Sequence, residues 1–188
     1  MRIASFIILF LLQFGLKAQE INKEIEKDFR DYFALISEKK IDSALNYTNP
    51  KMFEFVPRVQ MKTLLESVYK MPNIEYKTGV SKFKTFDTLK KIDNINYVRF
   101  EIVSPIEMKF TDVKPTTEKV KEMVRIFEVK FGTGNVVFDS KTGFYKINAQ
   151  KIIIASSEDT LINWKFVTIN NPNSKLLLTK FIPEELLK

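Results

Sequence analysis

The sequence predicts an α+β fold: N-terminal helices packed against a curved, mostly antiparallel sheet, with one helix inserted between strands and a C-terminal helix. Three observations carry this. Apolar residues recur at helical spacing up to Met71; from Ile74 to about Leu89 the chain reads as strand, and over 96–110 apolar residues alternate with period two. Helical spacing then returns once, at 117–131, before short strand-like runs resume.

The first element reads as a leader. Arg2 precedes an apolar run from Ile3 to Leu16, followed by Lys17-Ala18-Gln19. A basic start, an apolar stretch and a small residue at the cut describe a secretory signal peptide. Helical, that run would span roughly 21 Å, short of a hydrocarbon core of roughly 30 Å. The expected organisation is a signal peptide over 1–18 and a single domain over 19–188, with no transmembrane span in the mature chain. The protein is expected to be exported, to the periplasm or the extracellular space. No Cys follows the apolar run, so a bacterial lipid anchor has no attachment point.

Ile25, Phe29, Tyr32, Phe33 and Ile36 make one face of an amphipathic helix over 22–39, with Asn22 available as its cap. Asp42 opens a short helical turn that Asn49-Pro50 breaks, because the residue before proline is pushed out of the α region. Asn46-Tyr47-Thr48 matches a glycosylation sequon and carries little weight as a chance tripeptide. Met61, Leu64, Leu65 and Val68 mark a further helix that starts near Pro57 and stops at Met71-Pro72.

Strands follow from Ile74 to about Leu89, with Gly79 a candidate bulge. Over 96–110, Val98, Phe100 and Ile102 share one face and Tyr97, Arg99 and Glu101 the other. Pro105 interrupts that ladder, as at a bend or an edge. In 117–131, Val120, Met123, Val124, Phe127 and Phe131 keep helical spacing, although RIFEVKF could also alternate as a strand. Glu118 in the first turn and Lys130 in the last favour the helix. Short strands are then expected at 135–139, 144–148, 151–155 and 161–169, with Ser174 capping a last helix. Leu176, Leu177, Phe181 and Leu186 read as its packed face.

The stretch KFGTGNVVFDSKTG (130–143) tests for a phosphate cradle. A P-loop needs G-x-x-x-x-G-K-[ST] between a strand and a helix. Here Lys141-Thr142 precedes its glycine, and the order is helix, glycine, strand. Gly132 is expected as a left-handed helix cap and Gly143 as a hairpin residue.

Composition narrows the chemistry further. The 188 residues contain no His and no Cys, which removes the commonest general base, thiol nucleophiles and the usual zinc ligands. No metal site and no cofactor are expected. The net charge of +7 is spread among acidic residues and not gathered on one face, so no nucleic-acid partner is expected. The 17 Phe point to a core stabilised by burial.

YTNPKMFEFVPRVQM, FGTGNVVFDSKTG, NWKFV and FIPEELL resemble segments of a family of secreted proteins from Bacteroidetes-type bacteria. The whole is similar to the nuclear-transport-factor-2-like (NTF2-like, cystatin-like) superfamily. That resemblance implies a cone of strands wrapped around the N-terminal helices, often in a homodimer. It transfers no catalytic residues. Two functions stand open. One is an exported, non-catalytic binding or assembly domain for a small molecule or a protein partner, with Trp164 a candidate stacking platform. The alternative is a carboxylate/phenol acid–base enzyme acting on a small molecule, with Tyr97, Arg99 and Glu101 as candidates.

Overall fold

Two long antiparallel strands form the spine, and everything else is arranged on their faces and edges. The structure is a computed structural model that describes the backbone of residues 2–158, 161–169 and 172–188, and side chains within 18–158, 161–169 and 174–188. The side chains of the apolar run from Ile3 to Leu16 lie outside the described residues, as do Asp159, Thr160, Asn170 and Asn171. With them go part of the expected SSEDT turn and the Asn171 end of the last strand.

The helices are α1 (Arg2–Ser37), α2 (Ile41–Ala44), α3 (Arg58–Tyr69), α4 (Thr117–Phe131) and α5 (Pro172–Leu178). The strands are β1 (Ile74–Thr78), β2 (Lys82–Phe86), β3 (Lys90–Ile92), β4 (Ile95–Phe110), β5 (Val136–Asp139), β6 (Phe144–Ser157) and β7 (Lys165–Ile169). α1 starts well before the expected boundary, so Asn22 lies inside it and caps nothing. Among the described residues, no helix is long and apolar enough to cross a membrane.

Among the described residues, all seven strands join one open sheet in which every ladder is antiparallel. β4 and β6 pair along their lengths, from Asn96 opposite Ser157 to Met108 opposite Tyr145. The far edge of β4 is covered in succession by β1, β2 and β3, and the far edge of β6 by β5 and β7. The two outer edges do not meet.

Residues 144–148 and 151–155, expected as two strands, are one strand because nothing in Ala149-Gln150 turns the chain and β4 pairs across both. The last expected strand shortens to β7, since Leu161 and Asn163 have positive φ (68° and 55°) that no strand accommodates.

Pro105 sits where β1 gives way to β2. Its carbonyl accepts the Gly79 N–H at 2.9 Å, so its absent N–H would point at that same gap. A Cβ on Gly79 would lie 3.1 Å from the Pro105 ring, so glycine allows this close approach rather than a bulge within a strand.

One sheet face carries α1 and α4. Ile21, Ile25 and Phe29 of α1 bury against Val98, Phe100, Ile102 and Ile153, each contributing about 1.5–3 kcal/mol of burial. The Phe29 ring meets Phe100 and Phe166 edge-on, at 5.5 and 5.2 Å between centroids. Further along, Val124, Phe127 and Phe131 of α4 pack against Ile106, Val136 and Ile147. The ambiguous 117–131 segment is therefore a helix, capped by Thr116, whose side chain accepts the Lys119 N–H. Gly132 ends it at φ 90°, ψ 145°. That is a glycine-favouring conformation but not the left-handed cap expected, because the chain leaves extended toward β5.

The C-terminal segment covers part of the other face, where Leu178, Ile182, Leu186 and Leu187 pack on Tyr97, Ile154 and Val167. Leu176, expected inside, points outward and is exposed. Ser174 lies within the first turn of α5 and is not its cap.

Candidate functional site

The apolar stripe of α1 divides between two tasks. Its N-terminal part fills the core, while Tyr32, Phe33 and Ile36, together with Phe29, wall a cavity of about 270 Å³ between α1, α3 and the sheet. From α3 come Leu65, Val68 and Tyr69; no residue of this helix is fully buried. The sheet supplies Tyr76 and Thr78 of β1, Ile102, Ser104 and Ile106 of β4, Lys151 and Ile153 of β6, and Thr168 of β7. A second cleft of about 250 Å³ on the β1–β2 side of α1 shares Phe29, Phe33 and Thr78 with it. Cavities therefore lie along both flanks of α1.

Two contacts hold α3 over the opening. At its start, Arg58 bonds the Asp42 carbonyl and side chain and donates to Asn46 Oδ1 at 3.0 Å. At its end, the Tyr69 hydroxyl donates to the Ile36 carbonyl at 3.1 Å.

Lys151 is the one charged residue among these walls. It is opposite Ile102 in the ladder and in phase with Ile153 and Ala155, so it faces the helices. It is half-buried, and its ammonium meets no acceptor among the described residues. Burial alone pushes its pKa below the usual lysine value. Thr168 stands diagonal to it across the β6–β7 ladder. Burial also pushes the Tyr32, Tyr69 and Tyr76 phenols up, so all three stay protonated at neutral pH. Among the described residues the walls contain no Asp or Glu that could act as acid or base.

The residues singled out from sequence lie elsewhere. Tyr97, Arg99 and Glu101 do share one face of β4, but it is the face turned away from α1 and the cavity. Tyr97 is 3% exposed and enclosed by the C-terminal segment. Arg99 Nη2 lies 3.8 Å from Glu101 Oε1, and Arg99 Nη1 lies 3.5 Å from Asp87 Oδ2. Its Nε is buried without a partner, while the Glu101 side chain is 47% exposed. These three form no enclosed acid–base cluster.

Trp164 is fully enclosed and presents no face to a ligand. Its backbone N–H donates to Asp28 Oδ2 at 2.9 Å and its indole N–H to the Leu161 carbonyl at 3.0 Å, fixing the entry to β7 against α1. Among the described residues no group of three or more Asp or Glu side chains could hold a metal ion.

Sequence reasoning missed Lys151. The signal was its period-two phase with Ile147, Ala149, Ile153 and Ala155, which places one basic residue in an otherwise apolar row.

Compared with models of known families, with curated proteins and with solved structures, the chain matches none of them.

Proposed function

We propose that this chain is a non-catalytic binding domain that holds a small, largely apolar molecule between α1, α3 and the sheet. The observation that carries the reading is the cavity itself, with aromatic and aliphatic walls under a helix that buries none of its residues. Its volume lies at the small end of ligand pockets. A void of about 150 Å³ already accepts benzene, so about 270 Å³ has room for a two-ring or short-chain molecule. Neutral phenols, and the absence of carboxylates from the walls, speak against acid–base catalysis there.

The resemblance to NTF2-like proteins supports the same reading, since a site between N-terminal helices and an antiparallel sheet suits that architecture. Export fits as well: the leader-like residues 1–18 precede Ile21, the first core residue of α1 among the described side chains, so a cut after Ala18 would keep every described core residue of α1.

Native mass spectrometry and calorimetry with 2-naphthalenemethanol test the proposal. One molecule should bind per chain, and Val68→Trp, which fills the cavity from α3, should abolish binding. Equal binding by Val68→Trp, or none by the parent chain, would reject the cavity as the site.

A further inference from the structure

We infer that the molecule held in this cavity carries a compact anionic head, a carboxylate in the simplest case, that pairs with the Lys151 ammonium. This rests on the cavity reading above and adds the class of ligand.

Placement is the first argument. Lys151 belongs to β6, a strand paired on both sides, and its phase in the ladder sends its side chain under the helices. Three other lysines of the sheet, at its edges or on its open side, have carboxylates beside them. Lys146 lies 2.8 Å from Asp139, Lys90 lies 3.1 Å from Glu185, and Lys109 lies 3.7 Å from Glu75. Lys151 has no such neighbour among the described residues.

The surroundings are the second argument. A half-buried ammonium is stabilised by an opposite charge or by hydrogen-bond acceptors. The titratable groups that share the cavity are Tyr32 and Tyr69 from the helices and Tyr76 from β1, and burial keeps all three neutral. The Ser104 hydroxyl is already paired with Ser81 at 2.9 Å. Among the described residues the cavity thus provides a cation and no anion. A ligand carboxylate would supply the missing charge, with the Thr168 hydroxyl diagonal to Lys151 as a second donor. Desolvation that now disfavours the charged amine would then strengthen the pair.

Three probes with one ring system test this by titration calorimetry on the full chain at pH 7: 2-naphthoate, 2-naphthalenemethanol and 2-naphthylmethylammonium. The acid should bind roughly 10- to 100-fold tighter than the alcohol, the range one charge-assisted hydrogen bond supports, and the amine should bind weakest. In Lys151→Met the acid should lose its advantage over the alcohol, and Lys151→Arg should restore it. If acid and alcohol bind the parent chain alike, the anionic head is refuted while the cavity stands. If none of the three binds, both fall. The comparison on the parent chain is decisive without any variant.

Discussion

Replacing Lys151 by Met should make the ligand-free protein more stable. The change keeps an unbranched stem against Ile102 and Ile153 and removes an ammonium that has no acceptor among the described residues. A polar group buried without a partner costs about 1–3 kcal/mol. Lys151 is only half-buried, so the gain should be about 1 kcal/mol, or roughly 2–4 °C in melting temperature for a chain of this size. The pH dependence has a definite sign. Burial lowers the pKa of Lys151 from its usual 10.5, so the folded state holds this proton less tightly than the unfolded chain. The cost is present in full below the folded pKa and fades as pH rises from there toward the unfolded value. The advantage of Lys151→Met should therefore be steady through neutral pH and shrink toward pH 10. Urea unfolding followed by fluorescence of the single Trp, at pH 7 and pH 10, measures both. A loss of 1 kcal/mol or more at pH 7, or an advantage that grows with pH, would show that the ammonium has a stabilising partner and would refute the reasoning.

Other perturbations test the frame around the site. Asp28→Ala should cost about 1.5–3 kcal/mol, because it leaves the buried Trp164 N–H without its carboxylate acceptor; Asp28→Asn, which keeps an oxygen, should recover part of this in the same urea titration. Gly132→Ala should cost about 1–3 kcal/mol, since φ is 90° and the new Cβ would lie 2.9 Å from Asn135 Nδ2; equal unfolding midpoints would contradict this backbone conformation. Asp139, which accepts from Lys146 and from the Lys141 and Thr142 N–H groups, should titrate at about 2 by NMR. Its contribution to stability is present above the ordinary carboxylate pKa and is lost as pH falls through about 2; Lys146→Met should move the titration upward.

Much of this fold was legible because local patterning and tertiary demand coincide. The stripe Ile25, Phe29, Tyr32, Phe33 and Ile36 does mark the inward side of α1, and Val98, Phe100 and Ile102 do face it. The helix at 117–131 was decided by charges at its ends and five apolar residues in helical phase. The glycines of 130–143 all have positive φ between a helix and a hairpin, the backbone geometry that their spacing called for. Other boundaries were not legible, since β6 and β7 are set by what β4 and α1 offer as partners and by no local stop signal.

The sequence by itself determined the class of the fold, the chemistry that lacks His and Cys, and the identity of most inward residues. Period and composition are local properties and survive without a partner strand. It did not determine which inward residues meet protein and which meet space. Tyr97, Arg99 and Glu101 drew attention because alternation in 96–110 is clean, yet the face they share lies away from the cavity and is partly covered by the C-terminal segment. Lys151 was passed over because KIIIA is apolar on both sides and names no face. Only the register of β6 against β4, with α3 lying across without burying a residue, turns that lysine into the single charge of a cavity. Register and helix docking depend on contacts far apart in the chain, and no window of sequence contains them.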